Sequence, residues 1–336
     1  MTRVQLERLT IRGLNLDAGG NSFAQDVAEG LTSTPKTLPP KYFYDGLGSR
    51  LFEAICRLPE YYLTRSEAEI LTTNSDEIAA SVEGPVRLIE FGSGNSEKTR
   101  CLIEAFLRRQ KQLHYVPVDI SWSSLERSSR ELLRDYPGLT VTAYAMEYYA
   151  ALARLSEGEA RPSARNVALF LGSNIGNFDE EESRAFLRGV RTMLDDGGAL
   201  LLGADLKKST GVLLPAYDDA LGVTAAFNLN ILGRINRELG GEFNLKTFEH
   251  KAAYNDRLSR IEMRLMSRIR QVVPIRALSV DIAFEEGETI HTENSYKFDL
   301  DQLAGIAKNS GFSLTRSWFD ESNWFSFNFL AARRLD

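Results

Sequence analysis

Thiols, imidazoles and long apolar runs are all scarce in this chain. Only two cysteines, Cys56 and Cys101, occur in 336 residues, too few for a disulfide framework and without metal-ligand spacing. The three histidines, His114, His250 and His291, are scattered, so no zinc site is expected. No segment approaches the ~20 consecutive apolar residues that cross a bilayer. The opening MTRVQLERLTIRGLNL carries charge throughout and has no apolar core of a secretion signal. Lysine and arginine form no block or stripe, and the formal net charge is −6, which argues against nucleic acid as a partner. No internal repeat is evident. These absences lead to the expectation of a cytoplasmic protein, acting as a monomer, with no membrane or nucleic-acid partner and no metal.

What is present is ample apolar material, 43% of residues, enough for two domains or one domain enlarged by an insertion. Residues 1–40 are mixed, with Gly19-Gly20, Pro35, Pro39 and Pro40 as breakers. Helical spacing covers much of 49–80. From residue 85 strands and helices alternate. Strands are predicted at 86–91, 115–120, 139–146, 166–173 and 199–205, with helices at 96–110, 123–136 and 180–194. This alternation predicts a doubly wound, mostly parallel sheet. It stops at 206. A helix follows at 226–239, a single long strand at 261–273, and a helix at 299–311. Two strands joined by Asp320-Glu321-Ser322-Asn323 then close the chain as an antiparallel hairpin.

Gly92-Ser93-Gly94 ends the first strand of the alternation, where doubly wound sheets bind ligands. A dinucleotide fingerprint needs a third glycine. Here Glu97 takes that place, in the expected first turn of a helix starting near Asn95-Ser96. An acid there suits a pyrophosphate poorly. S-adenosylmethionine carries no phosphate, so the turn predicts a methyltransferase. Asp119, at the end of the second strand, can accept from both ribose hydroxyls. Glu147, after the third, is placed to read the adenine amino group. A plain tight turn, a non-catalytic adenosine or amino-acid binding module, and a nicotinamide-dependent oxidoreductase remain as alternatives.

Several stretches are more specific. PPKYFYDGLGSRLFEAICRLPEYYLTRSEAEIL (39–71), LIEFGSGNSEKTR (88–100), YVPVDIS (115–121), LFLGSNIGNF (169–178), LLPAYDDALGVTAAFNLN (213–230), IEMRL (261–265) and TENSYKF (292–298) occur in order along the chain. Together they resemble the histidine Nα-methyltransferases of ergothioneine biosynthesis, over nearly the whole chain. The resemblance implies a Rossmann-like methyltransferase domain of residues 63–205 and 298–336 and a substrate-binding domain of 1–62 and 206–297. It implies three methyl transfers from S-adenosylmethionine to L-histidine, giving hercynine. Carried over by position, the cofactor side is Gly92, Lys98, Asp119, Glu147 and Tyr148. Met146-Glu147-Tyr148 stands where the family more often has Gly-Asp-Phe. The substrate side is Tyr44, Tyr61, Gly172, Asn177, Tyr217, Met263, Glu293 and Ser295, with Asn177 and Tyr44 as catalytic candidates. Tyr61 and Tyr217 would donate to the α-carboxylate. Asn177 would accept from the α-amine. Glu293, with Ser295 and Tyr44, would hold the imidazole against Met263. The family also contains enzymes acting on a prenylated tryptophan, so another aromatic amino acid is the alternative substrate.

Overall fold

The computed structural model describes residues 8–13, 22–156, 164–194 and 196–333. Gly19 and Gly20 lie outside them. In chain order the strands are β1 (Leu9–Gly13), β2 (Lys36–Thr37), β3 (Val86–Phe91), β4 (Leu113–Asp119), β5 (Leu139–Ala145), β6 (Arg165–Phe170), β7 (Ala199–Asp205), β8 (Phe248–Asn255), β9 (Arg260–Ser267), β10 (Gln271–Ile275), β11 (Val280–Phe284), β12 (Thr289–Tyr296), β13 (Phe312–Phe319) and β14 (Phe325–Ala332). The helices are α1 (Ser22–Thr32), α2 (Gly46–Ile55), α3 (Tyr62–Ala80), α4 (Arg100–Gln110), α5 (Trp122–Asp135), α6 (Tyr148–Ser156), α7 (Glu180–Met193), α8 (Thr210–Leu213), α9 (Val223–Leu239) and α10 (Leu300–Asn309). No described helix is long and apolar enough to cross a membrane.

Contacts divide the chain into two units. One comprises the described parts of Met1–Leu16, Leu63–Lys207 and Phe298–Asp336; the other those of Asp17–Tyr62 and Lys208–Lys297. The first unit is an eight-stranded sheet in the order β1-β5-β4-β3-β6-β7-β14-β13. All pairs from β1 to β7 are parallel, and β14 runs antiparallel to both β7 and β13. This is the expected mostly parallel sheet with a terminal antiparallel hairpin. Every residue of β3 and β7 is buried, which is why neither alternates: β7 reads as an apolar run up to its final Asp205, and β3 as one interrupted only by the buried Arg87 and Glu90. β3 pairs with β4 on one side and β6 on the other, so the chain reverses its direction of winding there. The crevice at the carboxyl ends of β3 and β6 is the topological switch point, where such sheets bind ligands.

Two expectations are corrected. Residues 1–62 were expected to belong together with the insertion. Leu9–Gly13 instead pairs in parallel with Val141–Ala145 and forms the edge of the large sheet. Arg8 fastens this edge by donating to the carbonyls of Leu133, Tyr136, Pro137 and Leu139 at 2.9–3.1 Å. The single strand expected over 261–273 is two. β9 leaves its ladder at Ser267, whose hydroxyl donates to the Ile269 carbonyl at 2.8 Å. The exposed Arg268-Ile269-Arg270 follows, and β10 starts again, paired with β11.

The second unit is a four-stranded sheet, β2-β12-β9-β8, packed against α9, with the β10–β11 hairpin beside it. Phe227 of α9 anchors the N-terminal segment. Its ring lies 4.7 Å from Phe43, 5.7 Å from Tyr44 and 5.9 Å from Phe52, centroid to centroid. Asp45 caps α2 by accepting from the Leu47 and Gly48 amides, and Asn230 of α9 donates to the same carboxylate at 2.9 Å. Helix α2 can sit this close only because residue 48 is glycine. A Cβ there would stand 1.7 Å from the Phe43 carbonyl oxygen, a backbone atom with little freedom to yield. Gly48→Ala is therefore expected to cost about 2–4 kcal/mol. A melting curve checks this as a Tm lowered by several degrees.

Candidate functional site

At the switch point the chain leaves β3 through Gly92, at φ +73°. That conformation favours glycine, and space demands it too. A Cβ would stand 2.7 Å from the Tyr148 hydroxyl and 2.8 Å from Asn174 Nδ2. Gly94, at φ +52°, has no heavy atom within 4 Å of where its Cβ would be. The turn is held from β4: Asp119 accepts from the Gly94 amide with one oxygen and from the Ser121 amide with the other, each at 2.9 Å. Burial pushes the Asp119 carboxyl up, against these backbone N–H groups, which pull it down.

The helix after the turn starts at Arg100, later than expected. Ser96 adopts φ +55°, its amide donates to the Ser93 carbonyl, and the Asn95 side chain accepts from the Glu97 amide at 3.2 Å. These bonds keep 95–99 in a turn. Glu97 is exposed in that turn and is not in a helix. Contrary to the expectation from the sequence, Glu97 therefore does not oppose a pyrophosphate at a helix N-terminus. The acid that does matter is Glu90, the penultimate residue of β3, which sequence reasoning passed over. It is 2% exposed and accepts from the Thr99 hydroxyl at 2.8 Å and from the Tyr115 hydroxyl. Burial raises its carboxyl to about 7, opposed by those hydrogen bonds and by Lys98.

The loop after β6 is joined to this turn by a second buried acid. Glu67 of α3 has no exposed surface. It ion-pairs with Lys98 and accepts from the Gly172 amide at 2.8 and 3.0 Å. Gly172 adopts φ +71°, and a Cβ there would lie 3.6 Å from the Lys98 ammonium. Asn174–Asn177 form one 3-10 turn, and a capping box between Asp179 and Glu182 fixes α7 directly beyond it. Tyr148 opens α6 with its ring in an aromatic cluster, edge-on to Phe170 at 5.6 Å and to Phe91 at 6.2 Å. Burial holds its phenol protonated, helped by the charges of Asp119 and Glu90. Glu147, just before it, is exposed.

The second unit gathers another cluster. Leu214-Pro215-Ala216 form a 3-10 turn that ends at Tyr217, whose hydroxyl lies 2.7 Å from that of Ser295. His250 braces the turn. Its Nε2–H donates to the Tyr217 carbonyl and its Nδ1 accepts from Asn228, both at 2.8 Å, so the ring is the neutral Nε2–H tautomer. Burial lowers its pKa, in keeping with that form. Glu293 and Ser295 share a face of β12 by the two-residue period, and Met263 of β9 is the cross-strand partner of Glu293. Tyr61 is 6.4 Å from Tyr217 and 6.1 Å from Phe52, ring to ring, and Tyr44 packs edge-on to Phe52 at 5.6 Å. Burial lifts the Tyr61 phenol well above its usual range and raises Glu293 to about 7, the latter opposed by the positive charge of Lys297. Lys297 is almost wholly buried and donates to both the Tyr217 and Ser295 hydroxyls.

A family model described as a histidine-specific, SAM-dependent methyltransferase matches residues 23–332. The chain belongs to this family. It is 41% identical over 320 residues to a histidine N-alpha-methyltransferase of Mycolicibacterium smegmatis, covering 95% of this chain and 98% of that one. It is 41% identical over 318 residues to one of Mycobacterium tuberculosis, covering 95% and 97%. A 4-dimethylallyltryptophan N-methyltransferase of Claviceps purpurea is 26% identical over 318 residues, covering 90% and 92%.

For a member of this histidine-specific family, the structure sorts the expected residues into two sets. Gly92, Lys98, Asp119, Tyr148 and Gly172 converge at the switch point of one unit, with Asn177 on the 3-10 turn that follows Gly172. Tyr44, Tyr61, Tyr217, Met263, Glu293 and Ser295 come together in the other unit. Gly172 and Asn177, expected on the substrate side, thus belong to the unit of the large sheet. S-adenosylmethionine fits the first set. Gly94 leaves room for a ligand against the backbone, and Asp119 keeps acceptor capacity for ribose hydroxyls beyond its two backbone bonds. Among the described residues no group of three or more His, Cys, Asp or Glu side chains is arranged to hold a metal. Asn174, Glu67, Glu90 and Lys297 were missed. Of these, Lys297 alone had a signal, since it continues the two-residue spacing of Glu293 and Ser295.

Gly92→Ala forces a Cβ onto Tyr148 and Asn174 at a positive φ. It is expected to weaken S-adenosylhomocysteine binding about tenfold or more. Calorimetry reads the affinity, and an unchanged circular-dichroism spectrum shows that the sheet persists.

Proposed function

We propose that this enzyme methylates the α-amine of free L-histidine three times, yielding hercynine for ergothioneine-type biosynthesis. The observation that carries the reading is the pairing of Glu293 and Ser295 on one face of β12, buried and set against Met263. An imidazole offers one N–H and one bare ring nitrogen, so it satisfies both an acceptor and a donor. An indole offers only the N–H. Glu293 accepts from the ring, and Tyr44, beside the Ser295–Tyr217 hydroxyl pair, supplies a hydroxyl hydrogen. The Tyr61 hydroxyl, with that of Tyr217, donates to the α-carboxylate without adding a second cation.

When bound, S-adenosylmethionine supplies a methyl group on a positively charged sulfur. The residues have to present a neutral amine in line with it. Free histidine carries an ammonium at neutral pH, so a proton leaves to water before each transfer. Asn177, through its carbonyl oxygen, accepts from the amine and sets the direction of its lone pair. Holding the substrate by ring and carboxylate leaves the nitrogen unencumbered as its hydrogens are replaced. The same reading takes the protein to be a cytoplasmic monomer without metal, nucleic-acid or membrane partners.

Incubation of enzyme with histidine and S-adenosylmethionine is expected to yield a species heavier by 42 mass units. Its absence in the mass spectrum would sink the proposal. Methylation of tryptophan in preference to histidine would favour the alternative substrate. Glu293→Ala removes a charged hydrogen bond worth about 1.5–3 kcal/mol, so the KM for histidine is expected to rise roughly 10- to 150-fold with S-adenosylhomocysteine affinity unchanged. Because burial raises the Glu293 pKa, the carboxylate form is present above about 7 and lost below it. The KM for histidine is therefore expected to rise as pH falls through about 7, read from initial rates between pH 6 and 9.

A further inference from the structure

Lysine rarely loses contact with water. Lys297 is nevertheless only 1% exposed and ranks among the largest fully buried side chains of the protein. Desolvating an ammonium costs several kcal/mol, so a lysine in this position has to be compensated locally. The compensation is specific. Its Nζ donates to the Tyr217 and Ser295 hydroxyls at 2.8 Å each and lies 4.6 Å from the centre of the Tyr217 ring. The backbone delivers it there: the Lys297 amide donates to the Ser259 carbonyl at 2.7 Å, one residue past the end of β12. The two-residue alternation of Glu293 and Ser295 thereby extends to position 297.

The three polar atoms form a closed triangle, because the Tyr217 and Ser295 oxygens are 2.7 Å apart. A hydroxyl that accepts from an ammonium has to turn its own hydrogen elsewhere. One of the two hydroxyl hydrogens closes the side between Tyr217 and Ser295. The other is directed out of the triangle. Without the ammonium both hydroxyls are free to reverse and present lone pairs instead. We propose that Lys297 is a positioning residue for the amino-acid substrate: it holds the hydroxyls of Tyr217 and Ser295 so that one hydrogen is directed out of the pair towards the substrate, and it gives Glu293 the positive charge it faces. This rests on the reading of the site given above.

Three groups bear on Glu293. Lys297 faces it from beyond the end of its own strand, the Tyr61 phenol from the segment before α3, and Met263 across from β9. Met263 carries no charge, and burial keeps the Tyr61 phenol protonated. The charge that opposes the desolvation of Glu293 therefore comes from Lys297. Removing it leaves burial unopposed, so Glu293 takes up a proton at higher pH and stops accepting from the ring.

Steady-state kinetics with histidine from pH 6 to 9.5, on the full chain, test this with Lys297→Met, Lys297→Gln and Lys297→Arg. Lys297→Met is expected to raise the KM for histidine at least tenfold while kcat stays within about threefold. The acid limb of kcat/KM should move alkaline by about one pH unit. Lys297→Gln keeps a donor and loses the charge, so the limb should stay displaced. Lys297→Arg should bring it back towards wild type. The substrate's own titration is common to all variants and cancels. S-adenosylhomocysteine affinity, read by calorimetry, should not change. If Lys297→Met is recovered unfolded, Lys297→Gln carries the test. A charge-free variant that is folded yet keeps the wild-type KM and pH limb overturns the proposal, as does equal loss of kcat and KM effects without a limb shift. Failure of the wild-type enzyme to methylate histidine would instead overturn the substrate assignment.

Discussion

Taking a carboxylate out of water costs several kcal/mol, and Glu67 is entirely out of water. Three positions of the large-sheet unit answer to that one constraint. Lys98 supplies the opposite charge, and the Gly172 amide supplies the remaining donor. Gly203, in the middle of β7, supplies the space, since a Cβ there would stand 2.3 Å from a Glu67 carboxylate oxygen. The pairing ties α3, the turn after β3 and the loop after β6 to a single point. It is the mechanical reason that the loop carrying Asn174 and Asn177 keeps its place beside Gly92. Glu90 does the same for the turn itself, gripping Thr99 beyond the turn and Tyr115 on the next strand. A cofactor bound at such a site meets dipoles that are already oriented, and it pays little to organise them.

The second unit uses the opposite arrangement. Here the hydrogen-bonded charge is the cation, Lys297, held by two hydroxyls, and the carboxylate, Glu293, is raised to about 7 by burial. An acid in that condition is costly in the folded protein whenever it is ionised. Between the ordinary glutamate range and about 7 the folded state binds a proton that the unfolded state has lost, so this group's contribution to stability falls as pH rises through that window. A protein keeps such a group when a ligand with a hydrogen-bond donor relieves it. A neutral imidazole does so without bringing another charge into the cluster.

Hydrophobic pattern made most of the large sheet legible. Its central strands are buried on both faces and so read as mostly apolar runs without alternation, and the terminal hairpin shows in the polar turn at 320–323. The first strand was not legible. Leu9-Thr10-Ile11-Arg12-Gly13 is an edge with three of its five residues exposed, and its place in the sheet is decided by the Arg8 side chain rather than by burial. Nor was the interruption at 268–270, because exposed arginines are common on strands and only the Ser267 turn marks the break. Turn glycines, hydroxyls and the β12 carboxylate were visible from motif and spacing. Glu67, Glu90 and Lys297 were not, since a charged residue in a helix or at a strand end normally faces solvent. The partners of Glu67 and Glu90 lie 9 to 105 positions away, which no local pattern encodes, and for Lys297 the two-residue spacing from Ser295 marks the face but not the Tyr217 hydroxyl 80 positions away.

The buried lysine also bears on how one site performs three transfers. Each methyl added to the α-nitrogen removes an N–H and, by the third, leaves a permanent cation. A site that recognised the substrate through those N–H groups would lose its grip step by step. A carboxylate aimed at the nitrogen would hold the trimethylated product by its charge. In the proposed reading Glu293 of β12 and Lys297 just beyond it avoid both faults, because they act at the far end of the substrate, on the ring. There their geometry is untouched by what happens at the nitrogen. The amide proposed for the amine, Asn177, has the complementary virtue: it would accept from an N–H while one remains and carries no net charge to trap the ammonium that results. In the proposed reading repeated methylation follows from where charge is placed, with Glu293 and the Lys297 charge kept at the ring and the reacting nitrogen left to a neutral amide.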